Sequence, residues 1–387
     1  MLTSFKSHEE LHHHLLRPPP HEPAPRPGHH HRLLLHCAEL IHSSDFSAAR
    51  RAVSLLLAAS SASGDSADRL NHYFSRALAL RLRRLSGLLP PPSPPPPHLA
   101  SQYFSTQSSH LFFNQLAPFL RFAHLTANQA ILESISGHRS IHIVDFDVGH
   151  GLQWPPLLQS LADRSDPPAV RITGTGSEPE ILFHTCRRLQ SFADSLSLKF
   201  NFHPLCLPPT ASFSFQSEPD ELLAVNCILF LHKLPELRRF LRAVKGMNPS
   251  VVTVAEREGR RGSPVFLERF AEALTYYSAL FESLEATLPP ASRERRVVEE
   301  LVLGREIEGI VAGSEEEGSG ETAERWEEEM GASGFVKLPL SAFAVAQAKL
   351  LLRLHYPSEG YLLETTKGSI FLGWRNKPLF SVSSWRC

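Results

Sequence analysis

Apolar residues recur at helical spacing in the first part of the chain. Three stretches carry this pattern, at 33–41, 46–59 and 67–85. Asp45 and Asp65 precede the second and third stretches, where an N-cap side chain accepts a backbone hydrogen bond. The leucines follow helical rather than strict heptad spacing. The pattern therefore predicts a small helical cap that keeps most of its leucines in its own core and exposes a minority to partners.

Beyond residue 140 the pattern changes to alternating strands and helices. Short apolar runs at 141–145, 169–173, 199–205, 222–231 and 250–255 predict strands, and 181–196 and 235–245 predict helices between them. This alternation predicts a parallel, doubly wound sheet with right-handed crossovers. Two later runs, 361–364 and 370–374, flank the turn signal Lys367-Gly368 and predict antiparallel strands at one end of the sheet.

Further segments mark helix boundaries and loops. A helical pattern over 103–135 contains Pro118 as a break, and another pattern over 341–352 predicts a late helix. Ser263-Pro264 predicts an N-cap and first helical residue, followed by an apolar face from Phe266 to Leu284. Residues 1–30 predict a disordered tail rich in His and Pro, 90–97 a polyproline loop, and 313–321 a disordered acidic loop.

Composition limits the function classes. The formal net charge is −1, so no global basic field attracts nucleic acid or anionic membranes. The five scattered cysteines lack CxxC spacing, which is typical of thiols in a reducing compartment, and no metal site is predicted. No apolar run approaches the roughly 20 residues of a membrane span. We expect a soluble intracellular protein without membrane contact.

The segment from Ile141 to Pro156 contains the main candidate site. A β-type run ends at Asp145 and continues into a turn with Gly149 and Gly151 before a helix opens. Such a turn suits a ligand or a close backbone approach, and Asp145 would face a crevice at the switch point of strand order. Alternatively, Asp145 is a hydrogen-bond acceptor or helix cap that locks the turn, and we favour this second interpretation.

The sequence departs in two places from the pattern of a cofactor-binding turn, and both departures argue against a cofactor in this crevice. Asp147 occupies the first glycine position of a methyltransferase-type turn, where its carboxylate would take the place of a ligand's anionic group near a helix N-terminus. The predicted second strand ends in Thr173-Gly174-Thr175-Gly176 and supplies no acid for ribose hydroxyls, although Glu178 follows in the loop. No cofactor is therefore expected.

Ordered motifs across the chain resemble the plant GRAS family. Ile141-His142-Ile143-Val144-Asp145 is similar to the VHIID signature, and Leu182, Leu189 and Leu196 stand seven apart in the second leucine-rich region. The PFYRE and SAW motifs correspond to Pro264, Tyr276-Tyr277, Arg305-Glu306, Trp374, and Ser383-Ser384-Trp385. Longer stretches, including 120–132 and 341–361, resemble the Lateral suppressor branch of that family.

This resemblance implies a domain organisation. A GRAS domain would span 31–387, with its first leucine-rich region at 31–89 as the helical cap and its VHIID region at 103–176. The second leucine-rich region would span 181–213, the PFYRE region 222–311 and the SAW region 314–387. The implied fold class is α/β: a methyltransferase-like, Rossmann-type doubly wound sheet with antiparallel C-terminal strands and an N-terminal helical cap.

The resemblance also implies a non-enzymatic nuclear regulator of transcription that acts in axillary meristem initiation. Its implied partners are other transcription factors and other GRAS proteins, in a homo- or heterodimer, with DNA contacted indirectly. The competing hypotheses are a small-molecule receptor or S-adenosylmethionine-dependent enzyme that uses the crevice, and direct sequence-specific DNA binding.

Charged side chains offer weaker candidates. Glu256, Arg257 and Glu258 follow the fifth predicted strand. We expect them to form ion pairs between cap and sheet, and Glu256 borders the candidate crevice. One helix face carries Arg238, Arg242 and Lys245, for which a solvated face is a better interpretation than phosphate binding. Two basic segments, 81–84 and 293–296, are too short to define a nuclear import signal.

Overall fold

The computed structural model describes residues 29–87, 112–207, 220–259, 263–289, 291–313 and 323–387, together with Phe213, Phe215 and Glu218. The predictions for residues 1–28, for the polyproline segment 90–97, for the helical pattern at 103–111 and for the acidic segment 314–321 lie outside these residues. Within the described ranges, no helix combines the length and apolarity needed to cross a bilayer.

Three helices form the predicted cap: α1 (His29–His42), α2 (Phe46–Ala59) and α3 (Ser66–Leu85). Asp45 accepts a hydrogen bond from the Ala48 amide at 3.0 Å, and Asp65 accepts one from the Asp68 amide at 2.9 Å, so both predicted N-caps are confirmed. Most of the cap leucines are buried or half-buried, and the exposed ones are Leu33, Leu55 and Leu85. The buried cap leucines pack in one cluster with residues of later helices, such as Phe270 and Ile307, so the cap shares its core with them and does not have one of its own.

In the described part of the chain, nine strands form one sheet: β1 (Ser140–Phe146), β2 (Ala169–Gly176), β3 (Phe200–Cys206), β4 (Leu222–Ile228), β5 (Val251–Arg257), β6 (Val336–Leu338), β7 (Tyr361–Thr366), β8 (Ser369–Trp374) and β9 (Lys377–Arg386). Their order is β3-β2-β1-β4-β5-β9-β8-β7, with β6 paired to β9. The first five strands are parallel, and β5 pairs antiparallel with β9. This arrangement confirms the predicted methyltransferase-like α/β class.

The remaining helices cover the sheet and support the cap. They are α4 (Pro118–Ser134), α5 (Trp154–Ala162), α6 (Pro179–Ser195), α7 (Leu237–Gly246), α8 (Phe266–Thr287), α9 (Arg293–Val298), α10 (Arg305–Ala312), α11 (Ala323–Ala332) and α12 (Ala342–His355), with a π-helical segment at Glu299–Gly304. Ile141 and Ile143 of β1 pack with α5 and α6, whereas Val144 and Phe146 pack on the opposite face with α7 and α11. Both faces of the sheet are therefore buried.

Three local predictions were wrong or incomplete. Strand β9 was not predicted, because Pro378 and three serines interrupt its apolar run, yet it lies between β5 and β8. Helix α8 begins at Phe266 with Val265 at the N-cap, so Ser263 and Pro264 precede the helix instead of opening it. Ser263 Oγ accepts from the Val265 amide at 3.2 Å, which makes it a turn residue. Helix α1 also includes the last two residues of the predicted tail.

Arginines connect the cap to the helices beneath it. Arg81 and Arg84 of α3 donate to the carbonyl oxygens of Val311 and Ala312, and Arg269 of α8 donates to that of Ile310 at 3.2 Å. These carbonyls belong to the last turn of α10, where intrahelical donors are lacking and positive charge is favourable. The C-terminus of α10 is therefore capped by side chains from two other helices.

Candidate functional site

The turn between β1 and α5 is compact and lies against the end of β2. Asp147, Gly149 and Gly151 have φ values of 67°, 50° and 60°, in the left-handed region. The Asp147 amide donates to Thr175 Oγ1 at 3.1 Å, and the Val148 amide donates to the Thr175 carbonyl at 2.9 Å. The chain thus turns back over β2 before α5 begins at Trp154.

Asp145 belongs to a buried polar network beneath this turn. Its carboxylate accepts hydrogen bonds from Trp154 Nε1 at 2.9 Å and from Asn226 Nδ2 at 2.7 Å. Asn226 also contacts Gln153 at 3.1 Å and accepts from Thr253 Oγ1 at 2.8 Å, and Gln153 donates to Asn128 Oδ1 at 3.1 Å. These six side chains are all buried. The geometry matches the hydrogen-bond acceptor that locks the turn.

The environment of Asp145 changes its acidity. Burial raises the pKa of this carboxyl to about 7, although the hydrogen bonds from Asn226 and Trp154 act in the opposite direction. Each oxygen of this carboxylate thus has an internal donor, and the side chain is buried beneath the turn. Asp145 therefore serves the protein's own network in this structure.

Asp147 and Glu256 both bind the short 3₁₀ segment that follows β4. Asp147 pairs with the ammonium group of Lys233, and both side chains are partly exposed. Glu256 is buried in β5, where it accepts from the Leu231 amide at 2.7 Å and contacts His232 Nδ1 at 2.8 Å. The structure gives Asp147 a lysine partner in place of the expected helix N-terminus. Glu256 lies within the strand and binds this segment instead of linking cap to sheet.

The two candidate glycines differ in their surroundings. A Cβ atom on Gly151 would lie 2.8 Å from Thr185 Cγ2 and 3.1 Å from Leu189 Cδ1, so α6 packs directly on this glycine. A Cβ atom on Gly149 would meet nothing closer than the Asp147 carbonyl oxygen, at 4.0 Å. Thr185 Oγ1 also donates to the Gly149 carbonyl at 2.8 Å. Close approach of α6 therefore explains Gly151, and the left-handed turn explains Gly149.

The other residues of the VHIID motif lie in the core of β1. Ile141, Ile143 and Val144 are buried, and His142 Nε2 lies 2.8 Å from Thr173 Oγ1 on the neighbouring strand. Burial, together with the nearby positive charge of Arg171, lowers the pKa of His142 to about 4. The imidazole is therefore neutral at physiological pH and joins two strands.

Only some residues of the PFYRE motif contact one another. Glu306 Oε2 accepts from Arg257 Nη1 at 2.7 Å and from the Tyr277 hydroxyl at 3.0 Å, which joins β5, α8 and α10. Arg257 therefore forms an ion pair as expected, but with α10 and not with the cap. Tyr276 is buried beside Tyr277, with ring centroids 5.3 Å apart. Pro264 and Arg305 are exposed. This motif therefore contributes a half-buried ion pair between sheet and helices.

The SAW residues lie at the antiparallel end of the sheet. Trp374 Nε1 donates to Glu282 of α8 at 3.2 Å. Ser384 Oγ donates to the Leu338 carbonyl at 3.0 Å, which secures β6 to β9, and Trp385 Nε1 donates to Ser383 Oγ at 2.9 Å. These contacts hold the last strands in place.

The basic candidates are engaged within the protein. Arg238 of α7 pairs with Glu329 of α11, with Nε to Oε2 at 2.8 Å, and Lys245 donates to the Gly334 carbonyl. Arg81 and Arg84, from one short basic segment, cap α10, and Arg295 from the other is buried. In each segment, therefore, some arginines are engaged within the fold, whereas Arg83, Arg293 and Arg296 are exposed. No cluster of three or more His, Cys, Asp or Glu able to hold a metal occurs among the described residues.

Sequence reasoning missed most members of the buried network. Asn128, Gln153, Asn226 and Thr253 come from four separate segments, so no local spacing relates them. One signal was present: Asn226 interrupts the apolar strand Leu222–Ile228, where a buried amide requires partners. Lys233, which pairs with Asp147, had no comparable signal.

Together the fold and the site define an α/β protein with a methyltransferase-like sheet and a helical cap. In the turn between β1 and α5, side chains of the protein itself bind the carboxylates of Asp145 and Asp147. The chain belongs to the GRAS domain family, which it matches over residues 30–386. It is a plant transcriptional regulator of that family.

Individual relatives agree with this assignment. The chain is 48% identical to MONOCULM 1 of Oryza sativa, with 84% of this chain and 80% of that protein covered. It is 43% identical to Scarecrow-like protein 18 of Arabidopsis thaliana, covering 84% and 83% respectively. Among solved structures, SCL7 of Oryza sativa has a TM-score of 0.77 and 35% identity, covering 94% of this chain and 100% of that one. These similarities agree with membership of a family of plant regulators.

Proposed function

We propose that this regulator is a non-enzymatic, nuclear protein-interaction scaffold that binds DNA-binding transcription factors and promotes axillary meristem initiation. The main supporting observation is the network around Asp145. Its carboxylate is occupied by Trp154 and Asn226, and Asp147 is paired with Lys233. A cofactor would have to replace these internal contacts, each of which is costly to leave unmade in a buried site.

The cap offers a surface for such partners. A groove along α2 is lined by Phe46, Ser47, Arg50, Arg51, Ser54 and Leu55. Leu55 has 72% of its surface exposed, whereas Leu56 beside it is buried. An apolar groove with two arginines suits an acidic amphipathic helix, in which apolar side chains enter the groove and carboxylates pair with the guanidinium groups. Transcription factors with such a segment are the partners we propose.

A reporter assay in plant protoplasts tests the scaffold. The chain fused to a heterologous DNA-binding domain should change the activity of a reporter that carries the matching operator, and the unfused chain should not. Leu55→Asp should abolish the effect without lowering the melting temperature. Leu362→Asp is the matched control, because Leu362 is also exposed but lies in β7. Equal activity of both variants with wild type would contradict the α2 groove as the partner surface.

Calorimetry tests the competing enzyme or receptor function. Titration of the full chain with S-adenosylmethionine should give no saturable heat and no shift in melting temperature. Saturable binding that Gly149→Trp abolishes would overturn the scaffold proposal in favour of a ligand site, because a Trp at this position would fill the mouth of the turn.

A duplex-binding assay at physiological salt tests direct DNA recognition. The purified chain should not select a defined duplex by itself, since Arg238 and Lys245 of the basic helix face already contact Glu329 and Gly334. Retention on a specific duplex should require a DNA-binding partner. Specific binding by the chain alone would favour the direct mechanism.

A further inference from the structure

The end of α3 carries three arginines immediately before a serine. In the segment Arg81-Leu82-Arg83-Arg84-Leu85-Ser86, arginines stand five, three and two residues before Ser86. Serine/threonine kinases with acidic substrate grooves select serines by this charge pattern, since each guanidinium can form a two-pronged ion pair with a carboxylate. The segment therefore has the features of a substrate for a kinase that recognises basic residues.

Ser86 lies where such a kinase can reach it. It is the C-cap residue of α3, it is half-buried, and Gly87 after it is exposed with a φ of 67°. Leu85 has 48% of its surface exposed, and the Arg83 side chain is exposed as well. Helix ends open more readily than helix interiors. Unwinding the last turn of α3, which would release Arg84 from the Ala312 carbonyl, would present Ser86 in the extended form that a kinase active site accepts.

Two other serines provide an internal comparison. Ser54 follows Arg50-Arg51, and Ser191 follows Arg187-Arg188, with the arginines at four and three residues before the serine. Both serines are exposed, but they lie within α2 and α6 rather than at a cap position. Charge pattern without an accessible helix end is thus present elsewhere in this chain.

A receiving group for the phosphate is already in place. Nη2 of Arg50, on α2, donates to Ser86 Oγ at 3.2 Å. A phosphate on this oxygen would gain charge-assisted hydrogen bonds from the Arg50 guanidinium. These bonds would offset the repulsion between a phosphate and the negative C-terminal end of the helix. Phosphorylation would thereby strengthen the link between α2 and α3.

We propose that Ser86 is a phosphorylation site for a serine/threonine kinase that recognises preceding arginines, and that Arg50 binds the resulting phosphate. In the transfer, Ser86 Oγ attacks the γ-phosphorus of ATP and forms an O–P bond. The bond from that phosphorus to the oxygen bridging the β and γ positions breaks, and ADP leaves with the electron pair. The hydroxyl proton passes to the catalytic carboxylate of the kinase.

The acceptor is tested with the full chain, ATP and the catalytic subunit of cyclic-AMP-dependent protein kinase, with sites located by tandem mass spectrometry. Ser86 should approach one phosphate per chain, and Ser86→Ala should lose this label. Arg83→Gln should lower the phosphorylation rate about tenfold or more, as loss of a charged hydrogen-bond pair predicts. Arg32→Gln is the control, since Arg32 is exposed but lies in α1. Labelling confined to Ser54 or Ser191, or an unchanged rate for Arg83→Gln, would overturn the proposal.

The receiving role of Arg50 is tested by dephosphorylation. Chains phosphorylated at Ser86 are treated with alkaline phosphatase, and release of phosphate is followed over time. Arg50→Gln should release phosphate severalfold faster than wild type because the phosphate loses its guanidinium partner. Arg51→Gln should behave as wild type, since Arg51 contacts Ser47 instead. Equal release from all three chains would show that Arg50 does not bind the phosphate.

Discussion

Alanine substitution at Gly149 and at Gly151 tests which of the two turn glycines is required by packing against α6. Gly149 and Gly151 both have positive φ, so an alanine at either position is strained by about 1 kcal/mol. Only at Gly151 does the new methyl group meet neighbours, because Thr185 Cγ2 and Leu189 Cδ1 lie 2.8 and 3.1 Å from the Cβ position. Overpacking of this kind costs about 1–3 kcal/mol. We therefore expect Gly151→Ala to destabilise the fold by about 1–3 kcal/mol more than Gly149→Ala.

Urea denaturation followed by circular dichroism measures this difference. The double variant Gly151→Ala/Thr185→Ser should recover part of the lost free energy of unfolding. Serine removes the Cγ2 methyl group but keeps the hydroxyl that donates to the Gly149 carbonyl. Equal destabilisation by the two alanines, or no recovery in the double variant, would refute the argument that α6 requires a glycine at position 151.

Three further substitutions test the core and the buried titratable groups. Leu189→Ala should lower the free energy of unfolding by about 3–5 kcal/mol because Leu189 is fully buried. The control Phe183→Ala, on the exposed side of α6, should lower it by less than about 1 kcal/mol. A Leu189→Ala variant that keeps its stability but loses partner binding would instead place Leu189 at an interface. In the folded protein the pKa of His142 is about 4, below its ordinary value of 6.5, so the unfolded state binds more protons between these two pH values. The contribution of His142 to the free energy of unfolding should therefore fall by about 3 kcal/mol on acidification across this window, so in urea titrations the stability difference between wild type and His142→Gln should change by about this amount. Parallel pH profiles of the two proteins would contradict the buried neutral imidazole. The pH dependence that Asp145 contributes runs in the opposite direction. Its folded pKa of about 7 lies above the ordinary value of 3.8, so its contribution to stability is lost as pH rises through 7. The stability deficit of Asp145→Asn should narrow between pH 4 and 7, and a constant deficit would argue against the raised pKa.

Much of the fold was predictable because secondary structure follows local patterns. The period of the apolar residues placed the three cap helices and the five parallel strands within a few residues of their observed bounds. The hairpin at Lys367-Gly368 was also predicted, and both residues have the positive φ that its two-residue turn requires. Strand β9 was missed because its pattern mixes serines with apolar residues, and its place between β5 and β8 depends on partners elsewhere in the chain.

The candidate site was only partly predictable. Asp145 and the glycines stood out because they follow a strand directly, and Asp147 stood out because it replaces a glycine. Their partners did not, since Asn226 and Lys233 reach the turn from β4 and the segment after it. The ion pair of Arg257 with Glu306 likewise joins residues 49 positions apart.

The amino-acid sequence alone determined the order of elements, the family and the buried faces, because these depend on residue spacing and on ordered motifs. Tertiary structure alone decided what the motifs do. It placed Trp154 and Asn226 on the Asp145 carboxylate, Lys233 beside Asp147, and α6 against Gly151. The physical reason is that a carboxylate takes its pKa and its role from the groups that surround it in space, and in this protein those groups come from distant parts of the chain.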